Sequence, residues 1–364
     1  MKTWQKYLTG IVIVIVALAA LGYIFRDDLI RLYMQPTDSS LSKQQASETP
    51  EAVAENLTTP WSIAFLPSGD MLVTERSGDL QRIGEDGQTF TIEGVQETSE
   101  GGLLGVELAP DFADSSQVYL YYTTNADGSL TNQVDRYELA NDQLTNRTTI
   151  IDNIPAASNH NGGGIKFGPD GKLYITTGDA AEPNLAQDRD SLAGKILRLN
   201  PDGSTPDDNP FDNEVWSYGH RNPQGIAWDN EGRLWSVEHG QSSQDELNRI
   251  ERGANYGWPT IRGDQAQDDM RAPIVHSGNN ETWAPSNMAY LDGKLYFAGL
   301  RGQSLYVADI ANSDDVIVER LFSNEYGRLR AVAAQGDHVY FSTSNRDGRG
   351  NPASDDDRIL RFAP

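Results

Sequence analysis

The stretch 158–179, SNHNGGGIKFGPDGKLYITTGD, joins a histidine in a glycine-rich turn to a strand that ends in a carboxylate. His160 stands among Asn159, Asn161, Gly162, Gly163 and Gly164, small or polar neighbours that let a ligand approach the backbone closely. The next strand, LYITTG, delivers Asp179 at its end. Functional sites are built from such pieces. Taken alone, the same residues also serve as a hydrogen-bonded turn, since NGGG is a turn signal and a lone histidine is often structural.

Composition limits what such a site can serve. With 364 residues, 38% hydrophobic and 23% charged, the chain is long and apolar enough to bury a large core. Its formal charge of −24, from 53 acidic against 29 basic residues, argues against a nucleic-acid partner, which needs a basic face. There is no cysteine, so disulfides and thiolate metal sites are excluded and the compartment must be read from targeting signals.

Residues 1–7 carry two lysines and precede an uncharged run of 18 residues from Leu8 to Phe25. That length is just enough for a membrane-spanning helix, and the leading lysines place the amino terminus in the cytoplasm and the remainder outside. The expectation is a cytoplasmic tail (1–7), a transmembrane anchor (8–25), a flexible polar linker (26–50) and an exported domain (51–364). A cleaved signal peptide is the alternative, because Ala17-Leu18-Ala19 resembles a small-residue cleavage site.

The elements that must position the site repeat. A turn containing Gly or Asp leads into an alternating strand, then a loop and a second strand: SGDMLVTE with DLQRI, SQVYLYYT with NQVDRYEL, DGKLYITTGD with GKILRLN, EGRLWSVEHG with DELNRI, DGKLYFAGL with QSLYVADI, and GDHVYFSTS with DRILRF. These six copies begin near Asp70, Gln117, Lys172, Arg233, Lys294 and His338, at spacings of 47, 55, 61, 61 and 44 residues. Period-2 alternation of Val, Ile, Leu and Tyr marks strands, and recurrence of one strand unit marks a propeller. The expectation is therefore an all-β, six-bladed propeller with four-stranded antiparallel blades. A transmembrane or signal segment precedes it.

The segments EGGLLGVELAPDF (100–112), NHNGGGIKFGPDGKLYITTGD (159–179), SYGHRNPQGIAW (217–228), EHGQSSQDELNRIERGANYGWP (238–259), TWAPSNMAY (282–290) and YGRLRAV (326–332) resemble the glucose/sorbosone dehydrogenase family. Its best-known members are soluble aldose dehydrogenases that use pyrroloquinoline quinone (PQQ). The resemblance spans about Thr59 to Phe362 and implies a six-bladed propeller, in agreement with the repeat count. It also implies oxidation of an aldose at the anomeric carbon to the lactone, with hydride passing to the quinone C5 and an external acceptor taking the electrons.

By the same resemblance, His160 is the general base, Asp179 orients its ring, and Arg221 stabilises charge growing on the quinone oxygen. PQQ carries three carboxylates and would be held by Arg221, Asn222, Thr282, Arg301, Arg328 and Arg330. Arg328 and Arg330 are two apart in a strand-like segment, so both project from one face. Glu100, where several relatives carry glutamine, and Asn159 would meet the sugar. Calcium would be held by backbone carbonyls of Gly240 and Gln241, with Asp245, Glu246 and the carbonyl of Tyr256 at a second ion. A proline is frequent in the family where this chain has Gln241. Two other readings stay open on the residues alone, a calcium-dependent hydrolase of the lactonase type and a non-catalytic binding propeller.

Overall fold

The structure is a computed structural model and describes residues 25–85, 87–311 and 315–364. Among the described residues twenty-four strands form six separate four-stranded antiparallel sheets, the blades of a closed propeller. In chain order, five blades occupy 60–91, 103–155, 165–218, 223–276 and 285–321. The sixth takes three strands from 329–362 and its outermost strand from the amino-terminal side, β1 (Glu51–Ala54). Pairing of Glu51 with Arg361 and Ala52 with Leu360 closes the ring and removes the open edge that a linear array would leave.

The repeat read from sequence corresponds to the second and third strands of each blade. In the third blade these are β11 (Leu173–Thr177) and β12 (Lys195–Leu199), paired in register from Leu173↔Leu199 to Thr177↔Lys195. Every residue of both strands is buried, because the neighbouring blades cover both faces of each sheet. Side chains from adjacent blades pack as shared clusters, such as Trp61, Leu104, Tyr121, Ile165, Ile175 and Leu197.

The innermost strands are β2 (Pro60–Phe65), β6 (Leu103–Leu108), β10 (Ile165–Phe167), β14 (Pro223–Trp228), β18 (Pro285–Leu291) and β22 (Leu329–Gln335). In all but β10 the register shifts at the strand's first residues, between Pro60 and Ser62, Leu103 and Val106, Pro223 and Gly225, Pro285 and Met288, and Leu329 and Val332. A bulge bends its strand and re-aims the side chains beside it. Here the bulges all lie at one end of the ring, where the loops that carry the functional side chains enter.

The expected tail and anchor (1–25) fall outside the described residues apart from Phe25, and among the described residues no helix is long and apolar enough to cross a membrane. Much of the expected linker (26–50) is placed against the propeller. Residues 26–33 form a helix, α1 (Arg26–Tyr33), and the segment after it lies against the propeller. Ser39 and Ser40 both hydrogen-bond Glu281, the Gln44 N–H donates to the Arg320 carbonyl at 2.9 Å, and Ser47 reaches the Ala363 carbonyl. Its polar composition supplies docking groups as readily as it would solvate a free tether.

Candidate active site

Loops that enter innermost strands and loops that leave second strands converge on one end of the propeller axis. Entering loops bring Glu100, His160, Arg221, Asn222, Thr282 and Arg328, and leaving loops bring Gly240, Gln241, Arg301 and Arg349. With Asp245 and Arg330 these residues line a cavity of ≈ 200 Å³. A larger cavity of ≈ 460 Å³ opens at the other end, but its charged groups are a neutralised pair, Lys166 and Glu107, 3.2 Å apart.

His160 has φ +60°, the left-handed conformation that an L-residue adopts only when its surroundings demand it. The Ala180 N–H holds its carbonyl at 3.2 Å and a Glu100 carboxylate oxygen accepts its own N–H at 3.1 Å. Gly178 makes the approach possible: a Cβ there would lie 2.0 Å from the His160 carbonyl oxygen. The imidazole Nδ1 is then 2.7 Å from Asp179 Oδ1. Asp179 is fully buried, and it also accepts the Trp258 indole N–H at 2.8 Å and the Ala181 N–H at 2.9 Å. With Nδ1–H directed at the carboxylate, Nε2 keeps the lone pair, the state a general base needs.

The cavity is strongly cationic for so acidic a chain. Five arginines line it, Arg221, Arg301, Arg328, Arg330 and Arg349, against two carboxylates that are already committed, Glu100 and Asp245. Burial alone would raise the Glu100 carboxyl, but the Arg349 guanidinium 3.3 Å away, then His239, outweigh it and hold the group below its usual range. Arg330 is 3% exposed, and burial, followed by the charges of Arg76 and Arg328, pushes it down to about 9. Arg221 is likewise lowered by burial and lies 5.4 Å above the Trp258 ring. Among the described residues Arg221 Nε, Arg330 Nε, Gln224 Oε1 and His239 Nε2 are buried without a hydrogen-bond partner. Cations desolvated and left short of partners are the counterpart of an anionic ligand.

Several expected contacts are already engaged within the protein. The Arg328 guanidinium pairs with Asp347 at 2.7 Å, with both side chains buried. Arg301 donates to the carbonyls of Tyr33 and Gln35 at 3.1 and 3.3 Å and lies 4.9 Å above the Tyr33 ring. The Asn222 amide oxygen accepts the Gly162 N–H, and the Thr282 hydroxyl donates to Asp245. Asn159 stands beside His160 but outside the cavity lining.

Asp245, expected at the second ion, is engaged within the protein. One of its oxygens accepts the Gly240 N–H at 2.8 Å, and the other accepts Thr282 Oγ1 and the N–H groups of Trp283 and Ala284 at 2.7–2.8 Å. That carboxylate ties two cavity loops together. Glu246 stands opposite Glu238 in the register of β16 (Glu246–Ile250) and β15 (Leu234–Glu238). Burial pushes both carboxyls up, to about 8, and Glu238 adds to the effect on Glu246. The two share a small neighbouring cavity with Gly240 and Tyr256. Among the described residues there is no group of three or more His, Asp or Glu side chains placed to hold a metal.

Sequence reasoning assigned no role to His239, Trp258, Glu238, Gln224 or Arg349. The first three lie within the family-like segments 238–259. Arg349 sits in a DGRG turn that reads as a plain loop, and only the tertiary structure takes it across the ring to Glu100.

Comparison with known proteins follows the same lines. The Glucose / Sorbosone dehydrogenase family description matches residues 57–360. The aldose sugar dehydrogenase of Escherichia coli K12 is 33% identical over 351 residues, 85% of this chain and 94% of its own. Quinoprotein glucose dehydrogenase B of Acinetobacter calcoaceticus is 34% identical over 251 residues, covering 58% of this chain and 52% of its own. The PQQ-bound aldose sugar dehydrogenase of Streptomyces coelicolor superposes with a TM-score of 0.80 at 39% identity, over 90% of this chain and 98% of that one. The propeller, its cationic cavity and these matches agree: the chain belongs to the glucose/sorbosone dehydrogenase family.

Proposed function

We propose that the protein is a PQQ-dependent aldose dehydrogenase that oxidises the anomeric carbon of a sugar to the lactone. The carrying observation is the juxtaposition, in one cavity, of a carboxylate-oriented histidine with five arginines. His160 Nε2 takes the proton of the anomeric hydroxyl, a contribution worth roughly 10²–10⁴-fold in rate. Asp179 keeps the ring in the productive tautomer and stabilises it once protonated. When bound, the quinone supplies the C5 carbonyl that accepts hydride.

Arg330 and Arg328, with Arg301, Asn222 and Thr282, hold the carboxylated cofactor, and Arg221 faces negative charge developing on its oxygens. The unpartnered Arg330 and Arg221 nitrogens fit that anion. Glu100, ionised beside Arg349, and Asn159 meet the sugar hydroxyls. The sugar is held by few contacts, so a range of aldoses is accepted, and an external acceptor then removes the electrons.

Calcium fits the pair Glu238 and Glu246 with the Tyr256 carbonyl, and the Gly240 and Gln241 carbonyls at the cavity edge. Two buried carboxyls that retain protons near neutral pH are a place where a hard cation can replace those protons. The run Leu8–Phe25 anchors the domain on the outer face of the membrane.

The test is reconstitution. Apo-protein given PQQ and calcium should show a bound-quinone absorption change, reversed by sugar, and dye-linked turnover with several aldoses. Absence of both the spectral change and turnover would sink the assignment, whereas quinone binding without turnover would favour a binding propeller.

A further inference from the structure

The segment before the propeller is placed at the mouth of the cavity. Tyr33 and Met34 line it, and Arg301 holds the Tyr33 and Gln35 carbonyls. Beyond them the Thr282 N–H donates to Thr37 Oγ1, and Leu41 packs against the buried cluster of Trp283, Tyr306 and Val318. The strap is therefore tied down from Tyr33 onward, and it fixes α1 at the rim.

No residue of α1 is buried. Phe25, Leu29 and Leu32 are 50%, 56% and 70% exposed, and their spacing of four and three residues puts them on one stripe. Of the six large hydrophobic side chains exposed among the described residues, four lie at 25–33, so the apolar surface of the molecule is concentrated at this rim. The charges around the stripe, Arg26, Asp27, Asp28 and Arg31, cancel, so the chain's excess negative charge is not focused here.

What covers the stripe is indicated by what precedes it in the chain. The uncharged run of 18 residues ends at Phe25 itself. At 1.5 Å per helical residue, Leu29 and Leu32 are at most about 6 and 10 Å along the helix from that end, so a helix that turns to lie along the bilayer surface keeps both at headgroup depth. An amphipathic helix with such a face rests at that depth. We propose that the Phe25–Leu29–Leu32 stripe docks on the lipid headgroup surface, so that the mouth of the arginine-lined cavity opens toward the membrane and the opposite end of the propeller points away. The inference rests on the anchoring of Leu8–Phe25 proposed above.

The cysteine-free sequence makes the test direct. Full-length Leu29→Cys, Leu32→Cys and Ser68→Cys variants, the last in a turn at the far end of the propeller, are labelled with an environment-sensitive fluorophore and mixed with phosphatidylcholine vesicles. All three sites are exposed, and melting curves verify folding. Labels at 29 and 32 should shift to the blue and be quenched by nitroxide-bearing lipid, while the label at 68 stays aqueous. If the protein floats with the vesicles but labels 29 and 32 remain aqueous, or label 68 is quenched equally, the docking surface is wrong and the anchor stands. If the protein does not float, both are wrong.

Discussion

The His160 Nδ1 lies 2.7 Å from Asp179 Oδ1, and the other oxygen of that carboxylate accepts the Trp258 indole N–H at 2.8 Å. The carboxylate is gripped from two sides, so it fixes both the rotation and the tautomer of the ring. Asp179→Asn keeps the shape but offers an amide that can donate to Nδ1, which favours the wrong tautomer. Turnover at saturating quinone should fall roughly 10²–10⁴-fold in Asp179→Asn and in His160→Ala, with quinone affinity unchanged. Quinone titration paired with steady-state rates checks this, and a normal rate in Asp179→Asn would remove Asp179 from the mechanism.

Arg330 and Arg328 should respond oppositely to the same substitution. Arg330 is buried without a carboxylate partner, so Arg330→Met should stabilise the quinone-free protein by about 1–4 kcal/mol. The same change should weaken quinone binding roughly ten- to a hundredfold, the value of one charge-assisted contact. Arg328→Met abandons buried Asp347 and should destabilise by about 3–5 kcal/mol. Thermal unfolding in the absence of quinone separates the two, and equal losses of stability would contradict the different pairing.

Glu238 and Glu246 predict an inverted pH dependence. Both carboxyls are pushed from 4.5 up to about 8 in the folded protein, so between those values the folded state holds protons that the unfolded state has released. Stability of the metal-free protein should therefore fall as pH rises from about 4.5 to about 8, by at most about 1.4 kcal/mol per pH unit for each group. Glu246→Gln should reduce that slope, and calcium should flatten it by displacing the protons. Melting temperatures across this range, in chelator and in calcium, decide the matter; a flat profile in chelator refutes the raised values.

Gly178→Ala should damage the site selectively. The added Cβ would lie 2.0 Å from the His160 carbonyl oxygen and 2.9 Å from Asn222 Oδ1, so the histidine turn must move away from Asp179. A stability loss of about 1–3 kcal/mol should accompany a marked loss of turnover. Gly171→Ala, at φ +72° with nothing within 4 Å of the new Cβ, should cost about 1–2 kcal/mol and leave turnover intact. Similar activity losses in both would show that the close approach at Gly178 is not what matters.

The propeller and the candidate base were legible in the sequence, for different reasons. The second and third strands of every blade carry dense Val, Ile, Leu and Tyr between Gly or Asp turns, a local signal that survives without any partner. Two of the outermost strands, Gln88–Thr91 and Val275–His276, are short and half exposed, and only pairing with their neighbours defines them. His160 and Asp179 could be read together because one turn and one strand join them. Arg301, Arg328 and Arg330 could be named as cations, but not which of them would also have a partner within the protein. Asp347 pairs with Arg328 through a loop, and the strap reaches Arg301 from residues 266 and 268 positions away in the chain. The same holds for Asp245, an expected calcium ligand in a GQSSQDE loop, because the four donors that meet its oxygens come together only on folding. Chain connectivity sets which side chains exist at each strand end. Ring closure sets which of them meet, since the cavity residues come from loops of several blades and their partners are chosen by the blades around them.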